Sequence, residues 1–324
     1  MPHYTLTEYK GFMKAGTSPV IVDEIQKRSL LLQLLPFTDN GTQMKGKWSY
    51  SYYRREGQKN AATRTVGTEY TTQKAAAPVA YTVDLSIMGG SYEVDRSQKD
   101  AGDIVSVIAE NEEQQIAATR AKFCDLAING NDSNAGEFDG LDVILAGSAT
   151  EYGATSYIDL STQANIETNA KAVRFGLNKW LAKLLRRPDA LMVDDDFLPI
   201  FTEIAQTLGG YAVTTDNFGN MVETYRGIPI IAAGEKAGGS TKIIGTETRT
   251  INAAPVTGLT DIYALCFGPQ ELHGVAPDNG TLLQVYRPDF STAGAVKIGE
   301  VEMIATLALE HTRAAGVFRN LKMA

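Results

Sequence analysis

The stretch KWSYSYYRREGQKNAATRTVGTEYT, from Lys47 to Thr71, constrains the fold more than any other part of the chain. Trp48, Tyr50 and Tyr52 alternate with Ser49, Ser51 and Tyr53, the period of two expected of a strand. Then the apolar residues stop, and Arg54, Arg55, Glu56, Lys59, Arg64 and Glu69 follow, spaced by Gly57 and Gly67. In the returning segment VAYTVDLSI, Val79, Tyr81, Val83, Leu85 and Ile87 alternate with Ala80, Thr82, Asp84 and Ser86. That pattern predicts a strand with one buried face, broken after Ile87 by Gly89 and Gly90. Residues 44–80 therefore read as a hairpin whose base joins a core and whose polar tip, about residues 54–69, projects from it. Such a tip has little of its own to bury, so its covering surface is expected from another molecule.

The rest of the chain can supply a core. Its 324 residues suffice for about two domains, and 44% hydrophobic with 21% charged residues is ordinary for a globular protein. The net charge of −8 argues against a surface that binds nucleic acid all over, although a local basic patch is compatible with it. Cys124 and Cys266 sit in apolar surroundings and read as buried small hydrophobes in a reducing compartment. No signal-peptide pattern opens the sequence and no apolar run approaches the ~18 residues of a membrane span, so synthesis in the cytosol is expected.

IVDEIQKRSLLLQLLPF reads as an arm with a short helix ended before Pro36. A long helix is predicted from about Asp103 to Ile128, stopped at Asn129-Gly130, followed by the turn-rich loop NGNDSNAGEFDGL. From 164 onward helices alternate with apolar strands such as PDALMVDD and YRGIPIIAAG, which implies a sheet covered by helices. The end returns to strands and then a short tail, TRAAGVF.

Catalytic signatures are missing: there is no GxGxxG, phosphate-binding loop, GxSxG or HExxH. Asp194, Asp195 and Asp196 follow a strand and have the oxygen chemistry of a Mg²⁺ or Ca²⁺ site, which leaves a metal-dependent enzyme as one reading. The competing reading is an acidic helix start before FLPIFTEIAQTL. His273 has no companion nucleophile motif and reads as a structural or surface histidine rather than a base. Arg54, Arg55, Lys59 and Arg64 suit nucleic acid, but the interleaved Glu56 and Glu69 suit a solvated loop tip or a salt-bridged contact with a neighbouring subunit better. A good core, an extended arm, a long helix and no catalytic set together point to a structural protein.

The order of these parts resembles the major capsid proteins of tailed bacteriophages, from Ser18 to Met323. LLLQLLPF followed by KGKWSYSYYRR is similar to that family's entry into its extended hairpin, the E-loop. LSIMGGSYEVDR resembles the approach to its spine helix, and LAINGNDSNAGEFDGL the exit. DNFGNMVETYRGIPII resembles its axial-domain signature, and YALCFGPQELHGV with RAAGVFRNLKM its ending. The resemblance implies an α+β fold with an extended β-hairpin arm, a long spine helix and an α/β axial domain. It divides the chain into an N-terminal arm (1–43), the E-loop hairpin (44–80), a peripheral domain with the spine helix (81–160), the axial domain (161–270), and a return to the peripheral domain with a C-terminal tail (271–324).

By the same resemblance the chain is a non-enzymatic, cofactor-free subunit of an icosahedral virion shell, assembled in the host cytoplasm as pentamers and hexamers around phage DNA. Trp48, Tyr50, Tyr52, Arg54, Arg55, Glu56, Lys59, Arg64 and Glu69 would then contact a neighbouring subunit, and Asp216, Asn217, Phe218, Gly219 and Asn220 would lie at the capsomer centre. A separate scaffolding protein is expected, because only about 40 residues precede the E-loop. A portal protein, decoration proteins and weakly contacted double-stranded DNA complete the implied partners, with no membrane among them. The acidic total charge fits a container that does not grip its genome. An encapsulin-like cage storing a cargo protein is the alternative that shares the fold.

Overall fold

The computed structural model describes residues 31–39, 48–57, 59–72, 74–97, 107–207, 211–215, 221–277 and 282–323. Two large sheets carry the core, and each packs against helices.

The first sheet is organised by one long strand, β15 (Val296–Leu309). On one edge it pairs along ten residues with β4 (Ser86–Asp95). On the other edge it pairs with β14 (Leu283–Tyr286) and then β13 (Leu272–Ala276). The short β1 (Phe37–Asp39) joins β13 in parallel. A four-residue helix, α1 (Leu31–Leu34), precedes β1 and buries Leu31 in the core, as does Leu35 just after it.

The spine helix α2 (Val107–Asn129) lies across this sheet. Its 23 residues span about 34 Å. Ile108 and Ile116 meet Tyr92, Val94 and Val301, while Phe123 and Leu126 enter the same cluster as Met88 and Met303. The part of the predicted helix between Asp103 and Ser106 lies outside the described residues.

The second sheet has nine strands and runs β5 (Glu151–Tyr152), β16 (Ala315–Lys322), β12 (Ala254–Leu265), β7 (Ala190–Val193), β10 (Ile228–Ala232), β9 (Met221–Tyr225) and β8 (Tyr211–Thr215). β6 (Ile158–Asp159) also pairs with β16, and β11 (Glu247–Ile251) with β12. Helices α4 (Gln163–Leu181) and α5 (Phe197–Thr207) cover one face through Val173, Leu177, Trp180, Phe197 and Phe201. The other face packs on Phe138 and on Leu141 and Leu145 of the short helix α3 (Leu141–Leu145). β7 shows why its sequence is an unbroken apolar run. Leu191 and Val193 enter one core, Ala190 and Met192 the other, and all four are buried.

Three expectations need correction. The apparent strand Val79–Ile87 is two strands, β3 (Val79–Asp84) and β4, with Leu85 between them. Leu85 and Ser86 are both buried, so the alternation inverts there; Val79 is exposed and Ile87 is 55% exposed. Gly89 and Gly90 do not break a strand but lie inside β4. A Cβ on Gly89 would stand 2.0 Å from the Val301 carbonyl oxygen, so the glycine permits a close backbone approach. Finally, the supposed tail is β16, paired to β12 in the interior of the nine-stranded sheet and buried from Ala315 to Leu321.

Candidate assembly hairpin and its root

β2 (Ser49–Arg54) and β3 form a two-stranded antiparallel ribbon, with Ser49 opposite Asp84 and Arg54 opposite Val79. The ribbon rests on the first sheet at one place, the end of β15 and the strand β13 beside it. Tyr50 packs with Val275 and Ala308, and its hydroxyl donates to Glu310 Oε1 at 2.6 Å. Tyr52 donates to the Leu309 carbonyl at 3.0 Å. Arg54 donates from Nε to the Glu310 carbonyl at 2.9 Å and from Nη2 to the Leu309 carbonyl at 2.8 Å. Its guanidinium lies 4.4 Å above the Tyr81 ring, which stacks on Tyr52 with centroids 5.7 Å apart. Burial, reinforced by Glu310, pushes the Tyr50 hydroxyl well above its ordinary pKa; burial also raises that of Tyr52.

The structure thus divides the nine predicted contact residues. Tyr50, Tyr52 and Arg54 point inward and are engaged within the chain, Tyr52 and Arg54 remaining half-exposed. Trp48 is 59% exposed, and Arg55, Glu56, Lys59, Arg64 and Glu69 are exposed. Glu56 accepts a hydrogen bond from Tyr81. Tyr53, not singled out from sequence, is 77% exposed and faces away from the root; the inward placing of Tyr50 and Tyr52 settles its side by alternation.

Beyond Arg54 and Val79 the limbs make no ladder among the described residues, yet they stay side by side. An added Cβ on Gly57 would stand 3.1 Å from the Ala76 Cβ. A turn at Val66–Gly67 closes by Thr68 N–H donating to the Thr65 carbonyl at 3.2 Å, with Gly67 at φ +89°. Val66 and Tyr70 are exposed there, and Arg64 lies 5.6 Å from the Tyr70 ring centroid.

The other candidate sites resolve differently. Asp194 is buried, and its carboxylate with that of Asp196 takes the ammonium of Lys242, 3.2 Å from Asp194 Oδ1. The cation between these two acids is therefore a side chain of the same chain. Burial raises the Asp194 carboxyl pKa against the pull of Lys242. Asp194 Oδ1 also accepts from Asp196 N–H at 3.3 Å, bracing the turn before α5 rather than capping the helix itself. Among the described residues no group of three or more His, Cys, Asp and Glu is placed to hold a metal ion, and no helix is long and apolar enough to cross a membrane. Asp216 to Asn220 lie outside the described residues; the strands flanking them, β8 and β9, pair with Thr215 opposite Met221.

No protein-family model and no curated protein matches the sequence. Solved structures do match over almost the whole length. The holo-SrpI encapsulin complex from Synechococcus elongatus aligns at TM-score 0.64 and 16% identity, over 99% of this chain and 96% of that one. The capsid of Myoviridae phage XM1 aligns at 0.57 and 12%, over 99% and 100%. The capsid of a native GTA particle aligns at 0.54 and 11%, over 98% and 99%. The chain has the α+β fold that phage capsids and an encapsulin share.

Proposed function

We propose that this chain, whose fold is that of shell proteins, is a structural subunit of an icosahedral virus capsid that encloses phage DNA. The observation that carries the reading is the alignment with the capsid chains of a phage and of a GTA particle over nearly their full length and this one's. The hairpin supports it: a root fixed by three inward side chains and a tip whose Arg55, Lys59, Arg64, Val66 and Tyr70 have no covering surface among the described residues suit a contact with the next copy. In this reading the division into arm, E-loop, peripheral and axial domains holds, copies gather as pentamers and hexamers with residues 216–220 at the centre, and assembly in the host cytoplasm uses scaffolding and portal proteins. Decoration proteins are compatible with it, and the net charge of −8 keeps contact with packaged DNA weak. No catalytic role is proposed, since the best acidic cluster is engaged by Lys242.

One observation favours a second reading. The encapsulin aligns at TM-score 0.64, against 0.57 for the myovirus capsid, so a cage holding a cargo protein uses the same fold. Expression of the chain, alone and with the scaffold candidate encoded beside it, followed by negative-stain microscopy tests both. Closed shells are expected, and a chain that stays monomeric in both cases overturns the shell reading. Portal and terminase genes alongside support the capsid; a protein that co-purifies inside the shells supports the cage.

A further inference from the structure

His273 stands at the centre of the hairpin root with 0% of its surface exposed, and neither ring nitrogen makes a close hydrogen bond. Its surroundings come from three directions. From β2, the Tyr50 ring meets it at 90° with centroids 5.8 Å apart. From the end of β15, Glu310 Oε1 lies 4.0 Å from Nε2. From the loop before β13, the Gly268 backbone faces the ring and favours its charged form in part. The other charges nearby are committed elsewhere. Arg54 holds the Leu309 and Glu310 carbonyls, Glu271 pairs with Arg186, and His311 Nδ1 accepts the Arg313 N–H. Glu310 is thus the one counter-ion facing the ring among the described residues, and the oxygen it turns towards His273 already accepts the Tyr50 hydroxyl. An uncharged imidazole fits this place. A charged one would compete with Tyr50 for that oxygen and leave its second N–H poorly served.

We propose that His273 makes the seating of the hairpin proton-sensitive: the neutral ring lets β2 and β3 rest against β13 and β15, and acidification unseats them. Unseating exposes the ring to water, where the imidazolium is solvated. Burial lowers the pKa of the seated ring, with Glu310 opposing in part. The seated state therefore takes up protons less readily than the unseated one. Seating is fully supported above the ordinary imidazole pKa of about 6.5 and weakens as the pH falls below it. By the same linkage the unseated population rises at most about thirtyfold by pH 5. The inference concerns a single chain and does not depend on what the chain assembles into.

The test is hydrogen–deuterium exchange on the full-length chain near pH 7.5 and near pH 5, with rates corrected for intrinsic exchange. Peptides covering 49–54 and 79–84 are expected to lose about tenfold in protection at the acid pH, while those from the β4–β15 pair keep theirs. His273→Phe and His273→Gln cannot titrate, and the hairpin in either should be equally protected at both pH values. The two differ in polarity, so a folding failure in one leaves the other, and the pH profile of the unmodified chain decides alone if both fail. Hairpin protection independent of pH in the unmodified chain overturns the proposal. So does an acid loss of the same size in either folded variant.

Discussion

Asp194 and Asp196 lie two positions apart and share Lys242, yet their surroundings give them different weight. Asp194 is buried and also braces a turn, whereas the Asp196 side chain is 72% exposed. Asp194→Ala should lower stability by about 1–3 kcal/mol, because a charged, buried hydrogen-bonding group is lost. Asp196→Ala should change it by less than about 0.5 kcal/mol, as for most surface substitutions. Urea midpoints of the two variants test the contrast, and equal losses would contradict the account. At this scale the sequence was only half legible. Three consecutive acids before an apolar helix announce a helix start, but their cation, Lys242, comes from a loop nearly fifty residues on. The tyrosines of β2 are a similar case: their alternation is visible, but the Glu310 that fixes which side faces inward is 260 residues away.

Elements were read best where one face and one period sufficed. α4 and α5 follow from their amphipathic spacing, and Thr162 caps α4 by accepting from Asn165 N–H at 3.3 Å. The reading failed between Val79 and Ile87, where the letters keep alternating while the chain passes from a ribbon into a different sheet. No local signal marks the face inversion at Leu85. The tip is separable from both elements, since the ladder ends at Arg54 and Val79. Replacing residues 55–78 by a short Gly-Ser turn should therefore leave thermal unfolding of the subunit nearly unchanged. Particle yield by sedimentation should fall to background, because a loss of only ~0–1 kcal/mol for each exposed pair recurs at every contact in a shell. Normal particles from that variant would remove the tip from the assembly interface, and an unfolded subunit would show that the ribbon depends on it.

Across the whole molecule, one polar network ties the nine-stranded sheet to its flank. Asp261, buried on β12, accepts from Arg319 Nη1 at 2.9 Å, from Arg249 Nη1 at 2.7 Å and from Asn320 N–H at 3.0 Å. Arg319 reaches on to Glu151 of β5 and to Asp142 of α3. Asp261→Ala leaves two guanidinium groups short of their shared acid and should cost about 3–5 kcal/mol in chemical denaturation. Asp261→Asn should cost less, since it keeps an acceptor, and a neutral outcome for both would deny the network its structural role. Nothing in the local sequence around Asp261 advertises this, because its partners come from β11 and β16. The sheet that β15 organises has a further consequence, and it is one of time. β4 and β15 pair across about 200 residues of chain that include eight strands of the nine-stranded sheet, and contacts so distant in sequence form slowly. The hairpin root rests on the end of β15, so its seat exists only after that late pairing. A freshly made chain thus has an interval in which the tip has no fixed direction, and in the proposed shell new copies would become able to join others at a rate set by the closing of one strand pair.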